Sequence, residues 1–416
     1  MGKTAKADYS SAAAKLLRAV QARQMEKKEK QKEENDGKTC CMLDLPKDCI
    51  YRTLIKLDVE SLQRAKFVCK SWYKMISNTI FIQDRLRRSE MGLIFLCKSS
   101  EKETSSDENV FHIEQHYLSR KTGINWMPRI DQYEAELSLQ FMENKDGKST
   151  VRSLKLSTYG QIRAVCNGLV LLESKKKMGP IVTNPVTREY TVLCRGTESL
   201  LPRFESYGLA FSHRTEEYKV VHLFRDDLQF FGCEIIVVGS HTWRAVDGPS
   251  SGLIYQLGKA PIVAIGAFHW MPHIVNSDYI VSMGIDDEKF RKIKLPETSG
   301  RYDGLVDMGG FLLFVHQVSR NQLAIWILKE LDGSKWTQKH NINVESTICM
   351  VPVGYSSRDM LVLKQGSSLY TYDFEQRQMK MIEINEGYAP YVGSCMPHFN
   401  SLVSWRNRKG QRLEDV

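Results

Sequence analysis

Apolar and polar positions follow two different periods along this chain. Between Leu45 and Phe81, apolar side chains recur at the spacing of one helix face. Cys49, Ile50, Leu54 and Leu57 make a first stripe, and Leu62, Ala65, Val68, Cys69, Trp72 and Ile76 a second. Lys47, Arg52, Lys56, Arg64 and Lys66 fall mostly on the opposite faces. Pro46 suits a first helical turn, where a missing N–H costs nothing. Asp58 breaks the first stripe and suits the cap of the next helix. The spacing predicts three short amphipathic helices. A segment this small cannot bury a self-sufficient core, so the rest of the chain or a partner must cover its apolar face. Residues 8–34 read as a separate helix, apolar at Ala13, Leu16, Leu17 and Val20 and nearly all charged in its second half. That half is expected to be a solvated arm ending at Asp36-Gly37.

From Gly92 onward the period changes to two. Short runs of β-branched and aromatic residues are separated by turn signals, and long helical periodicity is absent. One form recurs: a glycine turn followed by an apolar strand. It is seen at Cys166-Asn167-Gly168-Leu169, at Ile265-Gly266-Ala267-Phe268 and at Met308-Gly309-Gly310-Phe311. Gly208-Leu209-Ala210-Phe211 is a weaker copy, and Asp359-Met360-Leu361-Val362 lacks the glycine. The copies recur every ~40–60 residues, near the length of one kelch-type blade. A blade cannot bury both faces alone, so blades stack around an axis. With early strands at Gly92–Cys97 and Val110–Tyr117, the count is about six blades. A last strand near Ser401–Trp405 would pair with the early strands and close the ring. An array of β-sandwiches is the alternative. The expected class is an α+β multidomain chain: an arm over 1–39, a helical module over 40–88, an all-β propeller-like domain over 89–405 and a basic, polar tail over 406–416.

Composition narrows the chemistry. Apolar content of 42% and charged content of 26% are ordinary for a folded protein. The net charge of +9 is spread along the chain and mixed with acids, which points to a solvated surface more than to nucleic acid. Ten cysteines are scattered with no CxxC pair, and Cys97, Cys166, Cys233 and Cys349 sit in apolar runs, as buried thiols of a reducing compartment do. Cys69, placed in the second helical stripe, reads as a buried core cysteine. No membrane span is expected, and the nucleus, the cytoplasm or both are the expected location. His112 with His116, and His269 with His273, have an i, i+4 spacing that chelates only on a helix, whereas both pairs lie in strand-like segments. No GxxxxGK[ST] string occurs. No catalytic residue, metal or cofactor is therefore expected. The loop Arg225-Asp226-Asp227-Leu228-Gln229-Phe230-Phe231 joins charge to two aromatics, the mix found at interface hot spots. Arg225, Asp226, Asp227, Phe230 and Phe231 are the candidate partner contacts, and a strand edge that buries Phe230 or Phe231 is the alternative.

Two stretches carry a family resemblance. Leu45-Pro46, Leu57, Leu62, Val68-Cys69-Lys70-Ser71-Trp72, Ile76 and Phe81 match the F-box, with Asp58 where many members carry proline. Downstream, Cys166-Asn167-Gly168-Leu169 followed by Asn184-Pro185-Val186-Thr187-Arg188, then Tyr207–Phe211, Tyr218–Val221, Gly266–Trp270 and Tyr372-Asp373, resemble the F-box-associated domain of plant receptors. The resemblance implies a non-catalytic substrate receptor of a Skp-cullin-F-box ubiquitin ligase. Leu45, Pro46, Ile50, Leu54, Leu57, Leu62, Val68, Cys69, Trp72 and Ile76 would divide between an internal core and the face that meets a Skp-type adaptor, and through it a cullin/RING core. The β domain would hold an unknown target protein. A scaffold without ligase function and a propeller that senses a small molecule are the alternatives.

Overall fold

The computed structural model describes residues 46–98, 111–112, 137–145, 148–158, 160–173, 178–198, 205–225, 230–249, 260–272, 276–331, 335–344, 350–356, 359–366, 368–382 and 395–406. The helix expected over 8–34, Leu45, His116, His273, Cys349, Asp226, Asp227 and nearly all of the 406–416 tail lie outside that set. Two compact units result. One holds the helices up to Ser89 together with Asn400–Val403, and the other holds Glu90–Phe399 and Ser404–Val416.

Among the described residues the helical unit has four helices where the spacing predicts three: α1 (Lys47–Leu54), α2 (Val59–Ala65), α3 (Lys70–Ile76) and α4 (Thr79–Arg87). Asp58 caps α2, its carboxylate accepting from Ser61 N at 2.7 Å. Asn78 caps α4 by accepting from Ile80 N at 2.9 Å. The second apolar stripe runs through a break that periodicity alone does not reveal. The chain turns at Lys66–Val68, and Cys69 adopts an extended conformation as the residue preceding α3.

Among the described residues the second unit is a ring of six sheets, antiparallel apart from one two-residue rim strand, so the sandwich array is set aside. Blades 1 to 5 are four-stranded meanders over 162–192, 206–246, 262–294, 304–343 and 351–382. Their innermost strands are Ile162–Cys166, Ser206–Ser212, Ile262–Ala264, Gly304–Met308 and Val351–Ser356. Blade 6 is built from both ends of the unit: Met396–His398 is innermost, followed by Gly92–Lys98, Leu137–Lys145 and Lys148–Thr158. Phe111–His112 adds to its rim in parallel. Each innermost strand touches the next in a closed circuit.

Closure uses Met396–His398, which pairs with Gly92–Ile94, and not the expected Ser401–Trp405. That later segment forms no strand, and its Leu402 and Val403 are buried. Gly208-Leu209-Ala210-Phe211 is likewise out of phase with the other copies. It lies inside an innermost strand, and the equivalent turn is His213–Glu216, with Glu216 at φ 55°.

The core lies between blades. One cluster joins Ile94, Leu96 and Leu139 of blade 6 to Val170 and Leu172 of blade 1, and another joins Leu313 and Ile325 of blade 4 to Leu361 and Leu363 of blade 5. Strands inside a blade are therefore covered on both faces, and Leu169–Leu172 and Ser206–Ser212 are buried throughout. Period-two alternation survives on outer strands such as Phe290–Lys294.

His398, on the closing strand, is buried with neither ring nitrogen bonded. Burial pushes its pKa from 6.5 down to about 3. The folded state then binds fewer protons than the unfolded one, so the stability owed to neutral His398 is complete above the unfolded value and drains as pH falls through that window. His398→Leu is expected to flatten the fall in melting temperature between about pH 6.5 and pH 4. An unchanged acid slope would contradict this.

Candidate functional site

The helical unit separates its apolar residues into two sets. Leu54, Leu57, Leu62, Trp72 and Ile76 are buried, with Ile55, Val59, Ala65, Phe81 and Ile82. Tyr51 packs edge-on against Phe81 with centroids 5.2 Å apart and donates to Asp84 at 2.7 Å. Arg85 Nε donates to the Leu57 carbonyl at 3.1 Å and ties α4 to the turn after α1. The other set faces outward. Pro46 and Cys69 are exposed, and Ile50 and Val68 are half-buried. Cys69 thus departs from the expected core position, because it sits at the break between helices.

Phe67, Tyr73 and Ile80 are 88%, 53% and 67% exposed. None was a candidate from sequence. Phe67 was legible only as a large apolar residue out of phase with the stripe on either side of it. Burying such a side chain in a partner stabilises by roughly 1.5–3 kcal/mol, so an exposed Phe67 beside half-buried Val68 is a ready contact.

The propeller has two unlike ends. At one, two-residue turns such as Asn167-Gly168 and Gly309-Gly310 join the first and second strands. There Ile265 N donates to the Gly310 carbonyl and Ile285 N to the Gly266 carbonyl, so short turns are bonded to one another. Polar links between blades also gather at this end. Lys219 meets Glu288 at 2.9 Å, and Arg244 meets the other oxygen of Glu288 at 2.7 Å. Burial would raise the pKa of Glu288, but these two partners hold it below the usual value. The turn Asp286-Asp287-Glu288 is thus an inter-blade anchor as well as a hairpin tip.

The other end carries the longer connections between blades. Asn276 N donates to the Ser299 carbonyl and Val344 N to the Asn321 carbonyl there. The candidate loop falls at this end. Arg225 and Phe231 face each other across the strand pair, the guanidinium 5.8 Å from the ring centroid. Phe230 is 68% exposed, and half-buried Phe231 packs on the core between blades 2 and 3. Asp226 and Asp227, between them, lie outside the described residues.

The buried polar groups read as structure. His222 Nδ1 lies 2.8 Å from Glu234 Oε1, which also accepts from Thr197 N at 2.8 Å. Tyr207 stacks on His222 with centroids 4.2 Å apart, and Phe224 and Trp243 close the box. Burial by itself would raise the pKa of Glu234, but the bonds from His222 and Thr197 hold it below the ordinary carboxylate value. The pair clamps the connection from blade 1 onto blade 2. His269 is bonded through both ring nitrogens, to Ser282 Oγ and the Ala264 carbonyl. Burial pushes the Cys97 thiol up to about 11 and Cys233 to about 12, which keeps both protonated. Among the described residues no group of three or more His, Cys, Asp or Glu could hold a metal ion.

A family model described as F-box associated beta propeller domain matches residues 105–393, and one described as F-box domain matches residues 42–84. The chain is also similar to proteins of Arabidopsis thaliana. It is 27% identical over 331 residues to F-box protein At5g49610, covering 74% of this chain and 81% of that protein. It is 21% identical over 403 residues to F-box protein CPR1, covering 87% and 89%. With F-box/kelch-repeat protein At3g23880 it shares 24% identity over 341 residues, covering 79% and 87%.

Proposed function

This chain belongs to the plant F-box proteins that carry an F-box associated beta propeller domain, and from that premise we propose that it is the substrate-recognition subunit of an SCF-type ubiquitin ligase. F-box domains in general bind Skp1-type adaptors, and F-box proteins are in general non-catalytic. The observation that carries the reading is the apolar surface of the helical unit. Pro46, Phe67 and Cys69 are exposed, with Ile50 and Val68 half-buried, although Leu54, Leu62, Trp72 and Ile76 of the same helices are buried. A folded module that leaves such side chains outside its core is built to be covered.

The chain then does no bond chemistry. Docked to the adaptor, it holds a target on the propeller. It raises the effective concentration of a target lysine near the charged ubiquitin-conjugating enzyme. A closed ring suits this role, because its loops are presented from a rigid frame with no open sheet edge at the seam.

The test is recovery of partners from plant cell extract by the full chain, with and without Leu45→Ala plus Pro46→Ala. Adaptor and cullin recovered by the wild type and lost by the double variant are the expected result. A wild type that recovers no Skp-type adaptor would sink the proposal.

A further inference from the structure

At the long-connection end of blades 4 and 5, three apolar side chains remain outside the core. Tyr302, Val318 and Val351 are 38%, 51% and 37% exposed. Hydrogen bonds and close contacts bring together the segments that carry them. Asp303 Oδ1 accepts from Gln317 N at 2.7 Å, and its Oδ2 accepts from Gly300 N at 2.7 Å and lies 2.8 Å from His316 Nδ1. Tyr302 therefore lies beside the end of the strand Phe311–Ser319. In that strand the pairing slips between Gln317 and Ser319, leaving Val318 as the extra residue of a bulge, a device that re-aims a side chain. A Cβ on Gly304 would fall 2.6 Å from Pro352 Cγ, so the next blade presses against this point and brings Val351 alongside.

Cations flank the strip. The Arg301 guanidinium lies 5.8 Å from the Tyr302 ring centroid, and Arg320 follows the bulged strand. Both arginines are exposed, and neither is ion-paired to a carboxylate among the described residues. Asp303, two residues along the chain from Arg301, is buried and consumed by its three partners. Glu297 is exposed at the start of the same connection, beside Leu295, which is bonded to the Asp278 carbonyl.

We propose that this ridge grips the target protein, and that the gripped segment is extended, acidic and carries at least one apolar side chain. The proposal rests on the receptor reading for its biological meaning, but not for its test. Charge complementarity selects the occupant. Two guanidiniums without a carboxylate partner among the described residues accompany these apolar side chains, on a chain of net charge +9. Tyr and Arg are the residue types that dominate interface energies. The pinning by Asp303 means little loop entropy is lost on binding. A nucleic acid would ask for a row of cations along a phosphate backbone, and here the arginines are separated by apolar groups.

The experiment is selection of a phage-displayed library of random dodecamer peptides on the full-length chain. Enriched peptides are then titrated by fluorescence anisotropy. Peptides with Asp or Glu beside Leu, Ile, Phe or Tyr are the expected winners. Their Kd should rise about tenfold on Arg301→Glu with Arg320→Glu, and again on Tyr302→Ala, while Arg301→Lys with Arg320→Lys retains most binding. These positions are exposed, and melting curves check that each variant is folded. If the reversal unfolds the protein, Arg301→Gln with Arg320→Gln replaces it. No enrichment, winners without acidic residues, or equal binding by wild type and reversal would each overturn the proposal. So would tighter binding of an oligouridylate that the reversal abolishes, which assigns the ridge to nucleic acid, or self-association abolished by it, which assigns it to a second copy. Adaptor recovery is read separately, so loss of the ligase reading and loss of this one are distinguishable.

Discussion

Phe67→Asp is expected to weaken binding of a purified Skp-type adaptor about hundredfold, roughly 2.7 kcal/mol, while leaving the fold of the helical unit intact. The side chain is 88% exposed, so its removal opens no cavity and its replacement buries no charge in the free protein. In a complex the same position would place an unpaired carboxylate against an apolar surface, which is costly. Trp72→Ala supplies the contrast. Trp72 is buried with Leu62 and Ile76, and truncating a buried tryptophan costs about 3–5 kcal/mol. That variant should also lose the adaptor, but by unfolding the unit. Titration calorimetry with hydrogen exchange over α1–α4 separates the cases. Unchanged exchange with lost affinity is expected for Phe67→Asp, and lost protection for Trp72→Ala. Wild-type affinity in Phe67→Asp would remove Phe67 from the adaptor surface.

The largest expected effect on the propeller comes from Gly354→Val. A Cβ at Gly354 would sit 2.6 Å from Pro397 Cγ and 3.5 Å from Met91 Sδ. Pro397 belongs to the strand that closes the ring, where it pairs with Leu93. The added side chain must displace that strand, and overpacking of this kind costs ~3 kcal/mol. The same device recurs between innermost strands, with Gly208 against Pro261 at 2.7 Å and Gly304 against Pro352 at 2.6 Å. Gly366→Ala is the control. Its φ of 59° is left-handed and nothing lies within 4 Å, so only the backbone penalty of about 1 kcal/mol applies. Urea unfolding should rank Gly354→Val well below Gly366→Ala. Adding Pro397→Ala to Gly354→Val should recover part of the loss, since the two residues compete for one volume. Additive losses would show that the clash is not with Pro397.

Legibility in the sequence differed by feature. Asp58 was readable as a cap because capping depends on the three residues that follow it. The string Asn184–Arg188 was readable as part of the family resemblance, and the turn it forms has a local mechanism. Asn184 Oδ1 accepts from Val186 N at 2.9 Å, and Arg188 takes φ 58°. Asp373 repeats this, accepting from Glu375 N and Gln376 N at 2.8 Å, with Arg377 at φ 52°. Glycine turns revealed the blade unit wherever a left-handed backbone was filled by glycine. They misled at Gly208, where glycine serves close packing against Pro261 and Phe268 instead.

The sequence by itself determined the local devices and the repeated unit: a short helical segment, then a succession of four-stranded blades. These depend on neighbours a few residues apart, so periodicity and turn chemistry carry them. Only the tertiary structure decided that Met396 pairs with Ile94 to close the ring, because two apolar strands are equally suited to an edge until the circuit has a circumference. It also decided that Trp72 faces inward and Phe67 outward, because the break at Lys66–Val68 resets the helical phase. The ridge of Tyr302, Val318 and Val351 exists for the same reason. A bulge, a pinned carboxylate and a glycine–proline contact bring together side chains that no spacing along the chain relates.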